Sequence, residues 1–226
     1  MSNGSPDRFV RQRDLVPQDR LAELAVSVIG CGAIGRQVAL QLAALGCRRL
    51  QLVDFDRVDA TNVTTQGWRA ADVGRLKVAA LAADVAALDP AVDLVLVPTR
   101  WRPRVPLGDV AFAGVDAIST RAALWRGGGD AVPLWFDGRM RGETLRILAA
   151  YDAPTRAHYA TTLFPQREAQ AGACTSRSTL YAASVAAGLL VAQFAKRLRG
   201  VPVAPDLVLN LLADELAPLD ARLSSA

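Results

Sequence analysis

Three groups of residues in this chain have the types and spacing to do chemistry on a phosphorylated ligand. The first is the glycine set Gly30, Gly32 and Gly35 within Val26-Ser27-Val28-Ile29-Gly30-Cys31-Gly32-Ala33-Ile34-Gly35. Gly30 permits a tight turn, Gly32 lets backbone N–H groups approach a phosphate, and Gly35 lets a following helix pack closely on the preceding strand. The second is the acidic run Asp54-Phe55-Asp56. Asp54 falls about twenty residues after the glycines, where a carboxylate accepts hydrogen bonds from ribose hydroxyls. Asp56 is one carboxylate more than ribose binding needs. The third group is Asn62, Gln66 and Lys77, spaced as in a loop that folds back over a polyphosphate, together with Asp116. A lone carboxylate at the end of a strand, with phosphates opposite, suits Mg²⁺, which takes one or two carboxylates plus substrate oxygens. Lys77 is one of two lysines among 26 basic residues, so it marks a place where a compact ammonium is wanted. Each residue also has a plainer use. Asp56 and Asp116 could cap a turn or a helix, Asn62 and Gln66 could hydrogen-bond within a loop, and Lys77 could sit on an exposed helix face.

The elements that must position these residues follow from hydrophobic period. A β-branched run stops at Gly30, and Ile34, Val38, Leu42 and Leu45 then recur at steps of three and four until Gly46. A second strand over 50–53 runs into Asp54. The polar stretch 57–74 has few regular signals, and a connection of this length in a compact domain is more often functional than idle. A helix is predicted over 75–88, with Leu76, Ala80 and Val85 inward and Asp89-Pro90 as its stop. Strands follow over 92–97 and 110–115, the latter running to Asp116. Ser119 or Thr120 is the expected cap of the next helix, which ends at glycines 127–129. Two more strands are expected over 133–136 and 144–151, then a loop over 152–173, a long apolar helix from 178, and a last strand over 207–212. This alternation predicts an α/β fold with a mostly parallel sheet and helices on both faces.

Composition narrows the class. The 226 residues fit an N-terminal arm with a short helix (1–24) and one domain (25–226). The net charge of +4 is spread along the chain with no block of five like charges, which argues against nucleic acid as a partner. Three widely spaced cysteines, Cys31, Cys47 and Cys174, form neither a disulfide framework nor a zinc pair, and a reduced, cytoplasmic setting is the default. The polar N-terminus is no signal peptide, and the most apolar segment, over 178–194, is short for a membrane span. The only histidine, His158, falls in a predicted loop, which leaves little room for the imidazole proton shuttle of a dehydrogenase.

The motifs in order resemble the ThiF/MoeB-type adenylyltransferases, the core of ubiquitin-activating enzymes and sulfur-carrier activators. The resemblance starts at Arg8-Phe9-Val10-Arg11-Gln12 and runs through GCGAIG, LVDFD, Thr61-Asn62-Val63-Thr64-Thr65-Gln66 and Gly74-Arg75-Leu76-Lys77. Val115-Asp116 with Arg121 continues it, and Ala173-Cys174-Thr175 closes it ahead of the long helix. It implies a Rossmann-like sheet with antiparallel strands in the C-terminal part. It also implies ATP and Mg²⁺ as cofactors. Gly30, Gly32 and Gly35 would hold phosphates, and Asp54 the ribose with Asp56 beside it. Asn62, Gln66 and Lys77 would line the polyphosphate, Lys77 neutralising charge at the α-phosphate, and Asp116 would hold Mg²⁺. Arg11 would reach in from the second subunit of a homodimer as an arginine finger. The implied reaction is attack by the C-terminal glycine carboxylate of a small ubiquitin-like or sulfur-carrier protein on the α-phosphorus, giving an acyl-adenylate and pyrophosphate. Cys174, beside Arg177 and ahead of a helix, could then take the acyl group as a thioester or take part in sulfur transfer, with a conjugating enzyme as a possible further partner.

Three departures stand against the resemblance. The family's zinc cysteines are missing, with Tyr159-Ala160-Thr161-Thr162 near the first pair's place, so no structural zinc is expected. Thr65 replaces the family arginine, and Arg69 or Arg75 is a candidate substitute. No further domain follows, which reads as a minimal adenylation core. Asp137-Gly138-Arg139-Met140 is a candidate contact for the carrier tail. The rival readings are a non-catalytic nucleotide-binding partner subunit, an NAD-dependent oxidoreductase, and an activator of small-molecule or RNA-base carboxylates.

Overall fold

A computed structural model describes residues 7–165, 167 and 179–219. Eight strands form one sheet in the order β3-β2-β1-β4-β5-β6-β7-β8. The strands β1 (Ala25–Ile29), β2 (Arg49–Val53), β3 (Asp93–Val97), β4 (Val110–Ala113) and β5 (Leu134–Arg141) run parallel. The strands β6 (Thr144–Ala150), β7 (Asp206–Asn210) and β8 (Glu215–Pro218) pair antiparallel, which gives the mixed sheet the sequence implied. The α-helices among the described residues are α1 (Gln18–Glu23), α2 (Ala33–Leu45), α3 (Ala60–Gln66), α4 (Lys77–Leu88), α5 (Ile118–Arg126), α6 (Ala153–Thr161) and α7 (Leu180–Leu198).

Both faces of the sheet are covered. On one, Val38, Leu42, Val85, Ala186, Leu190 and Phe194 from α2, α4 and α7 bury against Val26, Val28, Leu50 and Leu52. On the other, Leu124 and Trp125 of α5 and Tyr159 of α6 enclose Ala111, Ala113, Trp135 and Leu148. Alternate residues of β1 and β4 thus serve opposite cores, as a strand buried on both faces requires.

Several sequence expectations need correction. The stretch 57–74 contains α3, a short helix that polar ends sustain. Asp59 accepts from the Thr61 N–H while Asn62 accepts from the Asp59 N–H, a capping box that hydrophobic period does not reveal. The predicted loop over 152–173 opens with α6, capped by Asp152 and Thr155, so His158 is helical. Its Nε2 lies 2.8 Å from the buried Asp206, which also accepts two bonds from Arg146, and His158 thereby ties α6 to β7. Neither Ser119 nor Thr120 caps α5; the cap position is Ala117, without a side-chain bond. β4 stops at Ala113, and β5 continues through the supposed tail contact. Asp137 is fully buried there, bonded by Arg121 Nε at 2.9 Å, Arg139 Nε at 2.8 Å and the Tyr159 hydroxyl at 3.1 Å.

Candidate nucleotide site

The parallel strands deliver the candidate residues to one edge. β1, β2, β3 and β4 all end there, and the strand order reverses between β1 and β4, the switch point where open α/β sheets bind ligands. Gly30 leaves β1 with φ +88°, a conformation that side chains rarely adopt, and its N–H bonds the Val53 carbonyl at 2.8 Å. A Cβ on Gly35 would stand 1.8 Å from the Gly30 carbonyl oxygen, so α2 can press this close to β1 only without a side chain. At Gly32, the cap residue of α2, a Cβ would meet only the Gln66 amide at 3.9 Å. Nothing else lies within 4 Å of that Cβ, and the α2 N-terminus presents its N–H donors and the positive end of the helix dipole to this space.

Asp54 follows β2 into this space. One oxygen accepts the Cys31 N–H at 2.6 Å and the other the Asp56 N–H at 2.8 Å, which fixes the carboxylate beside the glycine turn. Burial raises its pKa, against the lowering effect of those two N–H groups and of Lys77. Lys77 arrives by a local pairing. Arg57 bridges Leu76 antiparallel, and the Lys77 N–H bonds the Asp56 carbonyl at 2.9 Å. Its side chain is buried and places Nζ 3.6 Å from Asp56 Oδ2, the carboxylate being half-exposed. The neighbouring Cys31 thiol is inert: burial first, and then Asp54, push its pKa well up.

Gln66 ends α3 beside Gly32, and its Oε1 accepts the Trp68 indole N–H at 3.0 Å. That bond turns the amide NH₂ into the free end. Asn62 spends its Oδ1 on the capping box and keeps its NH₂. Trp68 lies in turn under the Arg36 guanidinium, 4.9 Å from the ring centroid, and Arg36 pairs with buried Asp84. Sequence reasoning gave no role to Trp68 or Arg36, because neither falls in a motif and the link to Gln66 is a tertiary contact. Arg69 shares Asp84 with Arg36, and Arg75 pairs with Asp72, so both candidate substitutes for the absent arginine are held by carboxylates.

Asp116 lies not on β4 but in the bend before α5, exposed, with no hydrogen bond or ion pair among the described residues. The backbone of its loop closes on the glycine turn, since a Cβ on Gly30 would fall 2.9 Å from the Gly114 oxygen. No group of three or more metal-ligating side chains exists among the described residues. An exposed carboxylate on the loop that closes on the turn still fits a Mg²⁺ ion whose other ligands are phosphate oxygens and water. Arg11 is elsewhere. The arm packs on the opposite edge, where Gln12 bonds the Leu45 carbonyl at 2.9 Å and Arg8 bonds the Leu88 carbonyl at 3.2 Å. The length of α2, about 20 Å, separates Arg11 from its own glycine turn. Cys174 lies outside the described residues.

A family model described as the ThiF family matches residues 7–213, most of the chain. The chain belongs to the ThiF family. Among ThiF-family relatives, it is 46% identical over 91 residues to an adenylyltransferase and sulfurtransferase, MOCS3, of Bos taurus, covering 40% of this chain and 20% of that one. It is 34% identical over 100 residues to a sulfur carrier protein adenylyltransferase of Thermus thermophilus, covering 42% of this chain and 37% of that one. The matches thus span well under half of these relatives. Among solved structures, E. coli MccB with ATP superposes with a TM-score of 0.75 at 17% identity, covering 95% of this chain and 72% of that one, a likeness of fold. No helix among the described residues is long and apolar enough to cross a membrane.

Proposed function

We propose that this chain is an ATP-dependent adenylyltransferase that activates the C-terminal glycine carboxylate of a small ubiquitin-like or sulfur-carrier protein. The observation that carries the reading is the convergence of an open glycine turn, a fixed Asp54, a buried Lys77 and a free Asp116 on one sheet edge, in a ThiF-family chain. In support, one relative is named a sulfur carrier protein adenylyltransferase and others adenylyltransferase and sulfurtransferase, and the MccB structures include one with ATP.

Backbone N–H groups of the turn and the α2 N-terminus hold the phosphates, and Asp54 holds the ribose. The NH₂ groups of Gln66 and Asn62 face the polyphosphate. Lys77 Nζ offsets the charge that builds on the α-phosphate as the carboxylate attacks. Asp116 would hold Mg²⁺, which supplies charge neutralisation on the phosphate oxygens. The nucleophile is already ionised, so the step needs alignment and electrostatic stabilisation rather than a base. A homodimer completes the site, because Arg11 lies at the wrong edge of its own subunit. Cys174 is not needed for this step.

The reading is tested by a thermal shift with Mg-ATP and with NAD⁺, on the wild type and Asp116→Ala. A ligand at about a hundred times its dissociation constant adds roughly 2.7 kcal/mol. Stabilisation by Mg-ATP alone, weakened in the variant, is the expected result; stabilisation by NAD⁺ alone would overturn it. One observation favours a second reading, a nucleotide-binding but non-catalytic subunit. Thr65 spends its hydroxyl on the Thr61 carbonyl at 2.8 Å and offers nothing to a phosphate.

A further inference from the structure

Trp68 is buried two residues after Gln66, and Gly67, at φ +75°, turns the chain between them. The indole N–H thereby reaches Gln66 Oε1 at 3.0 Å. The face of the ring is committed to charge. The Arg36 guanidinium lies 4.9 Å from its centroid, and Arg36 Nη2 bonds Asp84 Oδ2 at 2.9 Å. Both partners of that ion pair are buried, and Arg36 Nε has no hydrogen-bond partner among the described residues. A buried ion pair is weak evidence for stability, since desolvation offsets the attraction. What this one supplies is a fixed place for the ring.

The elements so joined are those around the phosphates. Arg36 follows Gly35 in the first turn of α2, and Gln66 ends α3 beside Gly32. Asp84 lies seven residues after Lys77, on the same buried face of α4. A glutamine amide can turn either end to a ligand, and the two ends act oppositely on a phosphate. The NH₂ donates to it, whereas the carbonyl oxygen repels it. An indole N–H is a donor only, so it bonds the oxygen and leaves the NH₂ for the ligand.

Resting on the polyphosphate role proposed above for Gln66, we infer that Trp68, held by Arg36 and Asp84, is a positioning residue that locks the Gln66 amide with its NH₂ toward the phosphates. Titration calorimetry on the full chain tests it, with Mg-ATP and inorganic tripolyphosphate as probes and melting curves alongside. Trp68→Phe keeps a ring under Arg36 but removes the N–H, and should weaken both probes about ten-fold. In a Gln66→Ala background that loss should vanish, the double variant binding as Gln66→Ala alone does. Gln66→Glu leaves the core untouched, keeps an acceptor for the indole and puts an oxygen in place of the NH₂; it should bind both probes more weakly than Gln66→Ala. Full affinity in Trp68→Phe, or a loss that persists undiminished in the Gln66→Ala background, would overturn the positioning role. So would Gln66→Glu binding no worse than Gln66→Ala. Full affinity in Gln66→Ala, in a chain whose wild type binds ATP, would remove both residues from the site and leave the rest of the reading standing. A wild type that binds NAD⁺ but not ATP would overturn the site reading itself.

Discussion

Lys77 carries the sharpest demand at the scale of single residues. A buried ammonium 3.6 Å from a half-exposed carboxylate is weakly compensated, and such a charge is suited to meeting an incoming phosphate. Lys77→Met is expected to lower adenylation at least about a hundred-fold while melting temperature holds, because Asp56 can turn to water; equal losses of activity and stability would argue for a structural lysine. Asp137 makes the opposite prediction. Burial raises its pKa, but the Arg121 and Arg139 guanidiniums outweigh that and hold the carboxyl below the usual carboxylate range. The folded pKa therefore lies below the unfolded one. Its contribution to stability is complete above about pH 4 and is lost as acid carries the pH down through the folded value. Asp137→Asn leaves two largely buried arginines short of their partner and should cost about 3–5 kcal/mol, read from urea unfolding at neutral pH, and should remove this acid-sensitive step.

Among the elements, the β1–turn–α2 unit separates structure from binding within five residues. Gly35→Ala forces a Cβ against the Gly30 carbonyl and should lower the melting temperature steeply, whereas Gly32→Ala meets only Gln66 at ordinary contact distance. The Gly32 variant should fold like the wild type and bind ATP more weakly, with calorimetry and melting curves distinguishing the two losses. This unit was legible in the sequence because its period, its glycines and its acidic residue are all local. The helices α3 and α6 were not. They are short, and side-chain caps at Asp59–Asn62 and Asp152–Thr155 hold their starts. The far half of β5 was hidden for another reason, since Asp137 and Arg139 read as a contact for the carrier tail beyond the strand until their partners are seen. The structure brings Gly30, Gly32, Asp54 and Lys77 to one edge, but the pairing of Arg57 with Leu76 that carries Lys77 there, and the indole that orients Gln66, exist only in the folded chain.

For the molecule as a whole, the arm and the site lie at opposite edges of one sheet. If Arg11 acts across a dimer, Arg11→Ala and Lys77→Met chains are each inactive alone, and mixing them restores up to about a quarter of wild-type activity, since a random mixture leaves one intact site in half of the dimers. No recovery on mixing would confine Arg11 to a structural role in the arm. The most direct measurement is ATP–pyrophosphate exchange by the full chain, with a sulfur-carrier protein ending in Gly-Gly and with the same carrier shortened by those two residues. The adenylation reading predicts label entering ATP only with the intact tail, and none with Lys77→Met. Exchange that ignores the tail, or bound ATP with no exchange for any carrier offered, would contradict it.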